Sequence, residues 1–155
     1  MAPEPFLVTP LRSCRDLLHA RHRARQVAQL LKFAEIDVVC IAAGAFLIAQ
    51  QGRQAFRRAE LCFALVERRL RVFARSRSSQ KARSESLYVL SKPLPQHDEP
   101  LAGEDIGWLL GQVERLAPTT PQDEILRQNQ EVLTLLLALR GSQATCDLGL
   151  NPSAA

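Results

Sequence analysis

Between Gly52 and Gly103 the chain contains no glycine. Only glycine lets backbone amides close tightly around an anion, so a glycine-rich phosphate cradle is excluded from the middle of the sequence. Aromatic residues are scarce too, at 5% with one Trp and one Tyr, and few platforms remain for stacking bases. The four cysteines, Cys14, Cys40, Cys62 and Cys146, include no C-x-x-C pair, which argues against a disulfide framework. They read as small hydrophobes in a reducing compartment. The three histidines, His19, His22 and His97, complete no metal set with them. His19 and His22 fall on an Arg-rich helix whose polar side is expected to face solvent. The opening MAPEPFLVTP lacks the basic start and long apolar core of a secretory signal. The expected location is cytoplasmic, with no membrane partner.

What is present fits a soluble α+β protein. Hydrophobic residues make up 46% and charged residues 23%, and 155 residues suit one domain with a modest extension. The net charge of +4 is unevenly spread: arginines gather in Arg12 to Lys32 and Arg53 to Arg83, acids in His97 to Glu131. That division predicts a basic body and an acidic helical tail.

The longest buriable stretch is Ala34 to Gly52, AEIDVVCIAAGAFLIAQQG. Val38, Ile41, Ala42, Ala45, Ile48 and Ala49 recur at helical spacing, and Phe46 and Leu47 widen the apolar surface. Its 14 uncharged residues, Val38 to Gln51, fall short of the ~20 needed to span a bilayer, so a core helix ending at Gly52 is predicted. Before it, Phe6 to Thr9 reads as an edge strand closed by Pro10, and Ser13 as the cap of an amphipathic helix over Cys14 to Phe33. After it, Leu61, Phe63, Leu65 and Leu70, Val72, Ala74 alternate with period two around a Glu67-Arg68-Arg69 turn, predicting an antiparallel hairpin. A basic loop from Arg75 to Arg83 and a third strand over Leu87 to Leu90 follow, then a proline-containing linker.

Two helices are expected beyond it. Glu104 to Leu116 turns Ile106, Trp108 or Leu109, Leu110 and Val113 inward, with Gly107 and Gly111 offering a close approach to another backbone. Thr120 caps a second helix that starts at Pro121 and stops at Gly141. With Ile125, Val132 and Leu139 at d, Asn129 and Leu136 fall at a of a short heptad seam. The seam suits pairing with a second copy or folding back on the domain. The predicted architecture is therefore a two-layer sandwich of a small, mostly antiparallel sheet with two helices on one face, followed by two C-terminal helices. The boundaries are 1–95 for the α/β unit, 96–103 for the linker, 104–141 for the helical pair and 142–155 for a tail.

Two blocks carry a family resemblance. ARHRARQVAQLLKFAEIDVVCIAAGAFLIAQQG, Ala20 to Gly52, resembles the run leading into the nucleotide helix of histidine-kinase/gyrase-type ATPase domains, in the branch of anti-sigma serine kinases and sensor-kinase N-terminal domains. LSKPLP, Leu90 to Pro95, with ILRQNQEVLTLLLALR, Ile125 to Arg140, is similar to that family's last strand and signalling helix. The family's nucleotide helix implies a Glu that activates the attacking group and, four residues on, an Asn that holds Mg²⁺. Those places are Leu47 and Gln51 here. Leucine is neither base nor ligand, and no Asp or Glu lies between Asp37 and Glu60 to replace it.

The resemblance thus implies a chain that has lost ATP and magnesium and has no catalytic residues, the degenerate positions being Leu47 and Gln51. It implies a non-catalytic role in bacterial signalling, binding a sigma factor, an antagonist protein or a kinase. Arg21, Arg23 and Arg25 on the first helix, with Arg75, Arg77 and Arg83, are the expected surface for an acidic partner. Ile125, Asn129, Val132, Leu136 and Leu139 are the expected homodimer seam. Two alternatives stand beside this reading: an active kinase or ATPase with a displaced base at Glu60 or Glu67, and a small basic regulator that binds nucleic acid.

Overall fold

In a computed structural model, residues 3–77, 89–96, 103–115 and 120–147 are described. The elements run β1 (Leu7–Leu11), α1 (Cys14–Leu30), α2 (Glu35–Ala55), β2 (Ala59–Val66), β3 (Arg69–Ser76), β4 (Val89–Pro93), α3 (Gly103–Arg115) and α4 (Pro121–Asp147). The four strands form one antiparallel sheet in the order β1-β2-β3-β4. The predicted α+β class holds.

Strand alternation decides which side is covered. Leu61 and Phe63 on β2 and Leu70, Val72 and Ala74 on β3 join the main core with α1 and α2. Cys62, Ala64 and Phe73 form a second small cluster on the opposite face. Burial pushes the Cys62 thiol up to about 12, against the opposing charge of Arg75, so it stays protonated as an apolar filler. Leu17, Ala20, Ala24, Val27 and Ala28 supply the inward side of α1.

Helix α1 starts where its capping chemistry places it. Asp16 N–H donates to Ser13 Oγ at 3.3 Å, and the Asp16 carboxylate accepts from Ser13 N–H at 2.9 Å. This is a reciprocal capping box. The helix ends three residues before the predicted Phe33 because Lys32 adopts φ 63. Phe33 N–H reaches Ala28 O and Lys32 N–H reaches Gln29 O, the pair of bonds of a Schellman motif. The expected cap at Thr120 also forms, with Asp123 N–H donating to Thr120 Oγ1 at 3.2 Å.

Two glycines do not end helices as predicted. Helix α2 continues through Gly52 to Ala55, and at 21 residues it is long and apolar enough to cross a bilayer. It packs instead beside α1 against the sheet, with Ile41, Ala45, Ile48 and Ala49 in the core. Gly52 serves packing: a Cβ there would sit 2.5 Å from the Ala74 Cβ on β3. Helix α4 likewise runs past Gly141 to Asp147.

The third predicted strand is displaced. Leu87 lies outside the described residues, and β4 extends to Pro93, three residues past the predicted end at Leu90. An edge strand accommodates the proline because its missing N–H faces no neighbour. Lys92 also ties β4 to α2 through Asp37 at 3.1 Å. On α3, Leu109 and Val113 are buried while Trp108 is exposed. Among the described residues, a Cβ at Gly107 or Gly111 would meet nothing within 4 Å, so neither serves a close approach there.

Candidate functional site

Helix periodicity puts Arg21 and Arg25 on one face of α1, and the heptad spacing of Glu124 and Glu131 puts both acids on one face of α4. The two faces meet. Arg25 donates through Nη1 and Nη2 to both oxygens of Glu124 at 2.8 and 2.7 Å, and through Nε to Glu131 at 2.6 Å. Arg21 Nη2 donates to the other Glu131 oxygen, and its guanidinium stands 5.9 Å over the Phe46 ring. His22 Nδ1 lies 3.5 Å from Glu124, too poorly aligned to bond. Glu124 is fully buried, and Arg21, His22 and Arg25 nearly so.

Two acids and two guanidiniums thus balance inside the protein. Burial opposes the Glu124 charge, but the hydrogen bonds from Arg25, together with His22, more than reverse this and hold the carboxyl at about 2. For Arg25 burial also works against charge, and Glu124 and Glu131 override it, leaving the guanidinium more firmly protonated than usual. Desolvation lowers His19, with Arg23 adding to the effect.

This corrects the expectation of a solvated Arg and His face on α1. Arg21 and Arg25 seat α4, and Arg23 donates to Val113 O in the last turn of α3. A cation at that helix end opposes the negative pole of its dipole. The acidic partner of the first helix is, for these residues, the chain's own C-terminal half. Glu124 and Glu131 were not singled out in the sequence, because the arginines they meet lie about a hundred residues upstream.

Seating α4 by its acids turns its apolar side outward. Ile125, Leu126, Val132, Leu133, Leu136, Leu137 and Leu139 are exposed, from 46% to 68%. Asn129 is exposed among them. Of the α4 residues whose burial is described, Glu124 and Glu131 alone are buried. The seam residues therefore share one open face.

Leu47 and Gln51 line a shallow depression of about 290 Å³ with Gly44, Ile48, Val89 and Leu90. Leu90 reaches across to within 3.4 Å of the Cβ position of Gly44. Among the described residues, no carboxylate lines it. Glu60 lies at the other end of β2 from Glu67, which occupies the hairpin turn, and neither borders the depression. Among the described residues no three His, Cys, Asp or Glu side chains gather as a metal ligand set.

Of the remaining predicted arginines, Arg75 and Arg77 approach Glu60 at 3.2 and 3.7 Å. Arg83 lies outside the described residues.

No known family model, curated protein or solved structure matches this chain. What it does must be argued from these surfaces alone. The structure adds the buried charge cluster and a basic cleft at one end of the sheet, neither of which sequence spacing had assembled.

Proposed function

We propose that this chain is a non-catalytic regulatory protein of bacterial signal transduction, of the anti-sigma, partner-switch or sensor-kinase kind. It works by binding protein, first of all a second copy of itself through α4. The observation that carries this reading is the outward apolar face of α4. Seven large aliphatic side chains along one helix, each about half to two thirds exposed, form a patch of several hundred Å². That approaches the ~800 Å² per partner of a standard interface. The a and d spacing of Ile125, Asn129, Val132, Leu136 and Leu139 suits a paired helix, with Asn129 setting the register.

The non-catalytic half of the reading is supported by the depression beside Leu47 and Gln51. Phosphoryl transfer rests on a positioned metal and a base, and the described lining of this shallow depression, aliphatic apart from Gln51, supplies neither. The lost ATP site and the binding role follow together from this reading.

Sedimentation of the full chain up to ~100 μM tests the association, since a dimer's mass is concentration-dependent. The wild type is expected to sediment as a dimer, and L133E/L136E as a monomer of unchanged helix content. A wild type that stays monomeric sinks the self-association, and Mg-dependent ATP turnover sinks the non-catalytic role.

A further inference from the structure

A cleft of about 760 Å³ opens where β1 ends, β2 begins and β3 ends. Among the described residues, Arg12, Arg53, Arg57, Arg58 and Arg77 line it, against the single carboxylate of Glu60. Glu60 already lies 3.2 Å from Arg75 as well as 3.7 Å from Arg77. Among the described residues, Arg12, Arg53, Arg57 and Arg58 enter no ion pair. Arg53 Nη1 only touches Cys14 Sγ, at 3.2 Å.

The fold gathers these like charges from three separate stretches of chain. Repulsion among them makes this unfavourable unless an anion intervenes. The positions are also held. Arg77 N–H donates to Arg58 O at 2.7 Å, and Phe56 N–H to Gly52 O at 2.9 Å, so the Arg57-Arg58 turn is pinned on both sides. Leu11, Pro10, Phe56 and Ala59 form apolar walls that sharpen the field inside. The C-terminal end of α2 opposes an anion with a charge of roughly half a unit. Among the described lining residues five guanidiniums against one carboxylate leave four positive charges, which outweighs it.

We propose that this cleft binds a small anion carrying two or more linked phosphates, gripped by guanidinium groups without a metal ion. Guanidinium forks match phosphate oxygens two at a time, and several forks spread around one cavity suit several phosphates better than one. The volume lies within the ~300 to 1,000 Å³ of small-molecule sites. Phe56, half-buried in the wall, gives a nucleoside an aromatic neighbour, so the phosphates come either free or on a nucleotide. The cleft shares no lining residue with the depression beside Leu47, and the proposal is independent of α4.

Isothermal titration of the full chain in EDTA, with tripolyphosphate, pyrophosphate and ADP against sulfate at matched ionic strength, tests it. Tripolyphosphate is expected to bind at one site. R57E/R58E and, separately, R12E should each weaken it by at least ~10-fold, with R140E on α4 unchanged. All three cleft positions are exposed, so the fold is retained and circular dichroism verifies it. ADP binding more tightly than pyrophosphate, with the difference lost in F56A, assigns the nucleotide; equal binding assigns the inorganic anion, and either supports the site. Binding no better than sulfate, or binding that survives R57E/R58E, overturns it. So does duplex DNA that displaces tripolyphosphate at equal phosphate concentration.

Discussion

Replacing Glu124 by Gln removes one charge from a buried set of four while keeping its shape. Glu124 has no exposed surface and accepts two hydrogen bonds from Arg25, at 2.7 and 2.8 Å. In E124Q the two guanidiniums share Glu131 alone, and one positive charge is left inside without a counterion. Breaking a buried pair from one side costs roughly 3 to 5 kcal/mol. The electrostatics point to a similar magnitude: a carboxyl lowered from 4.5 to about 2 corresponds to roughly 3 kcal/mol. Because the folded value lies below the unfolded one, this stability is complete above the unfolded value and is lost as pH falls through 4.5 toward 2. Urea unfolding at a series of pH values measures both effects. E124Q is expected to lose about 3 kcal/mol at neutral pH and to flatten the acid limb of the stability profile. An E124Q loss below ~1 kcal/mol, or an acid limb unchanged from wild type, would refute the argument, because surface pairs give no more than that.

Three other expectations concern packing, turns and surface. G52A adds a methyl group 2.5 Å from the Ala74 Cβ, and overpacking of this kind costs ~1 to 3 kcal/mol, partly offset by up to ~1 kcal/mol of helix propensity. Thermal melts should show net destabilisation, relieved by adding A74G; a more stable G52A contradicts the close crossing. Glu67 and Arg68 hold φ of 51 and 59, the left-handed pair of a two-residue hairpin turn. Changing them to Asn-Gly should raise stability by ~1 kcal/mol or more, and a loss on chemical unfolding would argue against this turn. L133E/L136E should lower the sedimenting mass without loss of helix, and an unchanged mass removes α4 as the contact.

The sheet was largely legible because its signal is local. Alternation along Leu61 to Ala74 fixes the hairpin, and Ser13 and Thr120 mark helix starts through side chains within three residues of the backbone groups they cap. Helix ends were harder, since glycine serves two purposes. Gly52 was read as a stop and is a contact with Ala74. Lys32 ends α1 in a conformation that glycine usually takes. The charge cluster was hidden for a different reason. A row of arginines on a helix looks the same whether it meets water or acid, and only tertiary contact brings Glu124 and Glu131 to Arg21 and Arg25. The cleft drew Arg12, Arg53 and Arg77 from the ends of different elements, so no spacing rule could gather them.

Helix α4 is mounted inside out. Soluble helices commonly seat an oily stripe and show water their ions; this one clips on by its ions and wears the oil outside. Its two attachments therefore answer to different variables. Acid loosens the inward clip by neutralising Glu124, whereas cold weakens any outward aliphatic grip. Only strong acid, at pH values approaching 2, would therefore free the helix from the body, and any outward grip on its aliphatic side would outlast that release.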